Sequence, residues 1–419
     1  MTTTTSSQHY HGEELVICPA CQTIHQRVPL EKGVRARCSH CGTILYRNDP
    51  HYLNRTLAVA VTGIILFIAA NLFPLVQIEL FGHAQFVNIP IAITQLLGNG
   101  YYLVGIGITL LVLVIPILVM GSYTVALVLL QQRRGKRVVR DLLVLLSKLL
   151  PWSMVDVFVI SILVALVKLT GEVSIHLGVS FWALSLYVGV DLYLTKASRL
   201  GFLWEIYDRV YGVRPETPLS EAKIRCPVCE AVNPDQGGDE RCVRCGSRIY
   251  PTPRVSLGRS WAFLITAMIL YLPANYYPVL ELKNVLYQGG NTIIGGVIQL
   301  WDQGSYVIAL IILVSSVFIP ILKFILLLYL FLSVRYPVAV SKEIRHRLHA
   351  IIEVIGPWSM IDVFVVSILA GLVKYESFNI VAGQGAAVYV LMVFFTMLSA
   401  LAFDPRLIRE KTRNPKEVP

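Results

Sequence analysis

The sequence predicts an all-α polytopic membrane protein: a duplicated four-helix membrane unit (eight spans), each unit preceded by a small cytoplasmic zinc ribbon. Three observations lead there. Hydrophobic residues make up 55% of the 419-residue chain and charged residues only 15%, with a mean hydropathy of +0.64, outside the usual soluble balance. Eight Cys fall as four C-x2-C pairs. The chain also repeats itself. Ala70-Asn71-Leu72-Phe73-Pro74 returns as Ala274-Asn275-Tyr276-Tyr277-Pro278, and Ile115-Pro116-Ile117-Leu118 as Ile319-Pro320-Ile321-Leu322, both at an offset of 204. Pro151-Trp152-Ser153-Met154-Val155-Asp156 returns as Pro357-Trp358-Ser359-Met360-Ile361-Asp362 at 206. Residues present in one copy only are thereby marked out.

The expected division is a first ribbon over 1–50, a membrane domain over 51–205, a second ribbon over 206–252, a second membrane domain over 253–405 and a tail over 406–419. The ribbons use Cys18, Cys21, Cys38 and Cys41, then Cys226, Cys229, Cys242 and Cys245, at spacings C-x2-C-x16-C-x2-C and C-x2-C-x12-C-x2-C. Two such knuckles bring four thiolates to one tetrahedral ion, and a closed four-thiolate shell leaves no position for water, so the expected zinc is structural, two sites per chain. A rubredoxin-like iron site and redox dithiols are the alternatives. Gly42 and Gly246 follow the last Cys of each set, where a tight turn favours a residue without Cβ. His25 and His40 read as surface residues.

Spanning the ~30 Å hydrocarbon layer takes about 20 apolar residues per helix. Such runs occur at about 57–78, 103–130, 142–168, 179–198, 259–281, 306–334, 350–373 and 387–403. Segments 88–98 and 291–302 read as short helices on the outer side. Asn71 and Asn275, three residues before Pro74 and Pro278, read as closing the first spans. The connection between spans two and three carries Arg133, Arg134, Lys136, Arg137 and Arg140, and its counterpart Arg335, Lys342, Arg345 and Arg347. Segments 79–101, 170–178 and 375–386 carry neither Lys nor Arg, and 282–305 only Lys283. The positive-inside rule places both termini and both ribbons in the cytoplasm. The net charge of +10 is then explained by anionic lipid headgroups, with no nucleic acid required. Residues 1–15 are polar and no apolar run precedes Leu57, so no cleavable signal peptide is read.

Inside the spans, ionisable groups mark function by default. The candidate polar network is Lys323, Asp362, Ser359, Ser316 and Thr396, with Asp156 and Ser153 at the repeated positions of the first half. Ser153 and Asp156, like Ser359 and Asp362, are spaced to share one helical face. Lys323 lies 11 residues from Val334 and Asp362 13 residues from His349, about 17 and 20 Å along a helix, so a Lys–Asp pair at matching depth is expected. The first half has Val119, Val112 and Val190 where the second has Lys323, Ser316 and Thr396. The second half reads as the working part and the first as scaffold, where Asp156 caps or bonds neighbouring helices. Lys168 and Lys374, at the outer ends of the third spans, read as snorkelling cations.

These features resemble the paraquat-inducible protein A family of PqiA- and LetA-like inner-membrane proteins. The resemblance rests on the paired ribbons, Pro273-Ala274-Asn275-Tyr276-Tyr277-Pro278, Trp358-Ser359-Met360-Ile361-Asp362 and Phe403-Asp404-Pro405-Arg406-Leu407. It implies the inner membrane of a Gram-negative bacterium, a periplasmic MCE-domain partner of the PqiB or LetB kind, and phospholipids moved between the two membranes. On that reading the chain is not an enzyme; it loads or extracts phospholipid for the partner's tunnel and so supports envelope integrity. The alternative is a passive anchor that docks the tunnel, for which Lys323 and Asp362 are dispensable. A membrane redox protein is the third reading; His83 and His176 lie outside the spans, so no bis-His haem pair is offered. No G-x-x-x-x-G-K-[ST] loop occurs, which excludes the usual P-loop hydrolysis.

Overall fold

The computed structural model describes residues 15–18, 23–80, 83–98, 100–169, 174–197, 200–213, 223–234, 240–249, 254–278, 280–283, 288–302, 304, 306–335, 342–372, 374–375, 378–403 and 407, the side chains of some helical and strand residues excepted. The Asp362, Lys168 and Lys374 side chains, Cys21 and nearly all of the tail from 404 lie outside the described residues. Two units emerge. One holds 1–61, 121–150 and 193–252; the other holds 62–120, 151–192 and 253–419.

The first unit contains both Cys modules. Each is a pair of two-stranded antiparallel hairpins: Leu15–Ile17 with Ile24–Gln26 and Arg35–Arg37 with Ile44–Arg47, then Lys223–Arg225 with Val232–Pro234 and Glu240–Arg241 with Arg248–Ile249. Two amphipathic helices accompany them. Lys136–Leu149 buries Val139, Leu143 and Leu146 on one face and carries its basic residues on the other. Leu200–Tyr211 buries Phe202, Leu203, Trp204, Tyr207 and Asp208. Short domains with so little core need more than hairpins to hold them. Here Arg27 of the first module pairs with Glu205 at 3.1 Å, and Arg244 of the second pairs with Asp208, so one helix face anchors both. Burial pushes the Glu205 carboxyl up to about 7, against the opposing pull of Arg27, Arg209 and Arg244.

The second unit holds most of the membrane body. Six helical segments among the described residues are long and apolar enough to cross a bilayer: Tyr52–Leu72, Tyr102–Gln132, Lys136–Leu166 (two helices in succession, interrupted at 150–154), Ser256–Tyr276, Ala309–Val334 and Gln384–Ala402. Val179–Thr195 and Ile355–Val365 are apolar but shorter. The protein is therefore a mostly helical, multi-pass membrane protein. The first helix of each repeat buries one stripe at helical spacing. Ala60, Phe67 and Ala70 are buried in one copy and Leu264, Ala267 and Ala274 in the other. Small residues bring helix backbones close where lipid supplies no hydrophobic drive. A Cβ on Gly63 would lie 2.9 Å from Val190 Cγ1. Between Ser256–Tyr276 and Gln384–Ala402 the same closeness lets Ser399 Oγ donate to the Ser260 carbonyl at 2.8 Å.

Two departures from regular helix recur in both repeats. A single π turn, Thr109–Val114 or Val314–Phe318, precedes Pro116 or Pro320, closed by Ile115 N–H to Leu110 O and Ile319 N–H to Val314 O. Proline lacks an N–H and its ring clashes with the carbonyl four residues back, here Val112 or Ser316. Widening the ladder by one residue just ahead relieves that clash. The second departure is a break. Lys136–Leu149 ends in a tight turn over Leu150–Trp152, and a new helix starts at Val155. Its counterpart Lys342–Trp358 ends at the same motif, and Ile361–Leu372 follows. Ser153 and Ser359 sit in these breaks rather than on a helix face shared with the aspartates. The i, i+3 reading fails there because the chain is not helical between the two residues.

The renewed half-helices Val155–Leu169 and Ile361–Leu372 pack on one another, with the equivalent residues Phe158 and Phe364 edge to face at 5.4 Å and 87°. A small apolar crevice lined by Val87, Ile89, Ile93, Phe158 and Ile368 lies beside this contact. The segments read as outer connections are β-sheets. Val76–Leu80 pairs antiparallel with His83–Val87 and Ser174–Leu177; Leu280–Lys283 pairs with Gln288–Asn291 and Phe378–Ala382, which pairs in turn with Lys374–Tyr375. Each sheet ties the end of the first span to the start of the fourth. Gly178 donates to the Leu75 carbonyl at 2.9 Å and Gly385 to the Pro278 carbonyl at 3.0 Å. The short helices Ile89–Gly98 and Ile293–Asp302 follow the hairpins where the sequence places them.

Candidate functional site

The second Cys module forms a complete cluster. Cys226, Cys229, Cys242 and Cys245 are all buried, with their sulfurs within 4.8 Å of one another. Cys226 and Cys245 stand 3.6 Å apart, Cys229 and Cys242 3.4 Å. Four sulfurs tetrahedrally placed at ~2.3 Å from an ion are about 3.8 Å apart, so the donors fit a four-thiolate metal centre. The knuckle turns explain the glycines. Gly246 (φ +74°) donates to the Cys242 carbonyl at 2.8 Å, and Gly42 (φ +72°) to the Cys38 carbonyl at 2.9 Å. Glu230 takes the same left-handed conformation after Cys229 (φ +64°), a position that favours glycine. Asn233 joins the knuckles by accepting from Val243 N–H at 3.1 Å and donating to the Ala231 carbonyl at 3.0 Å.

The first module brings Cys18, Cys38 and Cys41 together, Cys18 and Cys41 at 3.5 Å. His25, read as a surface residue, instead sets Nε2 3.2 Å from Cys38 Sγ. The register opposite Val16 carries its strand over the cluster. An imidazole N–H on a ligand sulfur orients that ligand and delocalises its charge.

The second candidate is buried in the membrane body. Lys323, from Ile319–Arg335, is 1% exposed, as is Thr396, while Ser316 and Ser359 are 2% exposed. Lys323 Nζ donates to Thr396 Oγ1 at 3.0 Å and, at the longer distance of 3.5 Å, to the Gly356 carbonyl. Thr396 Oγ1 donates in turn to the Val393 carbonyl at 2.7 Å. Gly356 lies in the last turn before the second-repeat break, where a helix leaves carbonyls without i+4 partners. Ser359 Oγ, in that break, has no hydrogen-bond partner among the described residues. Ser316 lies in the π turn of Val314–Phe318.

In the first repeat, Val119 is fully buried in place of Lys323, and half-buried Val190 stands in place of Thr396. Asp156 lies in the first turn of Val155–Leu169, its Oδ1 accepting from Val157 N–H at 2.9 Å. That is a helix N-terminal arrangement, in which amide donors and the helix dipole stabilise a carboxylate without a cation. Ser153 Oγ has no partner among the described residues. Pattern reading named Lys323 and Thr396; it missed the Gly356 carbonyl, because a backbone acceptor exposed by a helix break leaves no side-chain signature.

The family model described as Paraquat-inducible protein A matches the chain twice, over residues 53–208 and 257–412. The Intermembrane transport protein PqiA of Escherichia coli strain K12 is 30% identical over 409 residues, covering 96% of each chain. A Probable intermembrane transport protein of Haemophilus influenzae is 27% identical, over 93% of this chain and 94% of its own. The Lipophilic envelope-spanning tunnel protein A of Escherichia coli K12 is 29% identical, over 93% and 90%. No solved structure matches the chain.

Proposed function

The chain belongs to the paraquat-inducible protein A family, and from that premise we propose that it is the inner-membrane component of an intermembrane lipid transport system. It loads or extracts phospholipid for a periplasmic MCE-domain tunnel of the PqiB or LetB kind. Its relatives carry names of transport and envelope-spanning proteins rather than of enzymes. In this reading the chain crosses the inner membrane eight times, with both termini and both Cys modules in the cytoplasm. The Cys clusters hold structural zinc, which supplies folding free energy to modules too small to fold on core burial alone.

The observation that carries an active role over passive anchoring is Lys323. A cation 1% exposed in the membrane body, bonded to Thr396 and approaching a carbonyl at a helix break, is costly and occurs in one repeat only. Broken helices with free carbonyls line substrate and ion paths in membrane transporters. Lys323 with Thr396, Ser359, Ser316 and Asp362 is the working network; Asp156 and Ser153 are scaffold. The chain is purified with an MCE protein of the PqiB or LetB kind and co-purifying lipids are identified. Phospholipid retained by wild type and lost or altered in Lys323→Ala, with the partner still bound, supports transport. Unchanged lipid and full complementation by Lys323→Ala leave only the anchor.

A further inference from the structure

Within the first unit, a polar pocket opens between the hairpin Arg35–Arg37/Ile44–Arg47 and the start of the helix Tyr52–Leu72. Its lining includes Lys32, Arg35, Arg47, Asp49, His51 and Arg55. Four cations face one carboxylate there, 4 − 1 = +3 with His51 neutral, and that carboxylate, Asp49, stands 3.7 Å from Arg55. Arg47 is held in place by aromatic faces. Its guanidinium carbon lies 4.1 Å from the Tyr52 ring centroid and 4.4 Å from that of Phe202, while Nε and Nη2 are buried without a hydrogen-bond partner. No carboxylate among the described residues neutralises it. The loop opposite is equally fixed: Gly33 (φ +85°) donates to the Asn48 carbonyl at 2.7 Å, and Asn48 Nδ2 to the Leu30 carbonyl at 2.9 Å. Asp49 turns the chain into the helix by accepting from His51 N–H at 3.1 Å, which sets the pocket beside a helix N-terminus, the end that favours anions.

We propose that this pocket binds a phosphate group, taken from an anionic phospholipid headgroup or from free phosphate. Lys32 and Arg35 supply exposed donors, Arg55 the far wall, and Arg47 a fixed positive field; guanidinium groups suit phosphate oxygens because their paired N–H groups match them. The pocket lies beside the N-terminal end of Tyr52–Leu72, the first helix in the chain long and apolar enough to cross a bilayer. The inference does not rest on the transport reading, since it uses neither Lys323 nor the membrane crevice.

The test is isothermal titration of the full-length, delipidated protein in a neutral detergent at matched ionic strength. The probes are inorganic phosphate, dihexanoylphosphatidylglycerol and dihexanoylphosphatidylcholine. Saturable one-to-one binding of phosphatidylglycerol, weakened about tenfold or more in the exposed double variant Lys32→Gln/Arg35→Gln, supports the site. Binding of phosphate with the same variant sensitivity assigns free phosphate as a source; phosphatidylglycerol alone assigns the headgroup. Metal content per chain, unchanged in the variant, certifies that the module remains folded. Equal affinity of wild type and variant, equal binding of phosphatidylcholine, or no binding of either anion overturns the proposal.

Discussion

Replacing Lys323 by methionine separates the energetics of the buried network from its use. Methionine keeps most of the length of the side chain and removes the charge. Wild-type Lys323 donates to Thr396 at 3.0 Å and approaches the Gly356 carbonyl at 3.5 Å. Hydrogen bonds from a charged group contribute ~1.5–3 kcal/mol each, so a full pair contributes roughly 3–6 kcal/mol and the longer contact reduces that. Against this stands the penalty of burying an ammonium, several kcal/mol after relaxation. The two nearly cancel, and Lys323→Met is expected to change stability by less than about 2 kcal/mol in either direction. Thr396→Val does the opposite: the cation stays and its nearer acceptor goes, at a cost of ~2–3 kcal/mol. Thermal unfolding in detergent should therefore rank Thr396→Val below Lys323→Met. Complementation of an envelope-defective strain, with expression checked, should show Lys323→Met inactive. A Lys323→Met protein that fails to fold would make the lysine a structural strut, and one that complements fully would refute the working-network reasoning.

Elemental analysis should find two metal ions per chain, as zinc, and Cys226→Ser should lower folded protein rather than abolish a reaction; iron, or no metal, contradicts the assignment. His25→Ala should weaken metal affinity of the first module ~10–100-fold, measured by chelator competition, and leave the second module unchanged. Gly178→Ala places a methyl group on the Pro74 carbonyl oxygen, and Gly385→Ala one 2.5 Å from that of Tyr277; each should cost about 3 kcal/mol, seen as reduced folded yield, whereas Gly107→Ala, whose methyl group meets open space, should cost nothing. Glu205 has a folded pKa raised to about 7 from 4.5, so the native state holds the extra proton between these values. Its penalty is full above pH 7 and is relieved as pH falls from 7 towards 4.5, worth on the order of 3 kcal/mol at the limit. Hydrogen exchange over 200–211 should slow between pH 8 and 6 after correction for intrinsic rates, and Glu205→Gln should flatten that dependence.

The duplication, the Cys modules and the first helices were legible because each leaves a mark in residue identity: fixed C-x2-C spacing, repeated motifs, and an apolar stripe at 60, 67 and 70. The outer sheets were hidden by hydropathy. The apolar run to residue 78 continues past Leu72, where the helix ends, into the strand Val76–Leu80. The alternation Val76-Gln77-Ile78-Glu79-Leu80 and the two-residue join Phe81-Gly82 were the available hairpin signal. The breaks at Ser153 and Ser359 were hidden for the same reason, since apolar character runs through them while Pro151 and Pro357 interrupt the ladder. His25 shows the limit of motif spacing. Four Cys account for a metal without saying which neighbouring ring will lie over a sulfur; only the strand pairing Val16–His25 decides that.

The contact of Phe158 with Phe364 brings a residue against its own equivalent, the geometry of an isologous pair in which every surface meets its twin. In a true dimer of identical halves, each substitution is made twice, so a cation buried in one half would arrive with a second in the other and double the cost of burial. One continuous chain lifts that constraint. Lys323 can be held on one side while Val119 fills the matching place on the other, and the halves keep a shared architecture with unequal chemistry. Covalent linkage here does more than fix stoichiometry. It permits an asymmetric machine to be built on a symmetric frame.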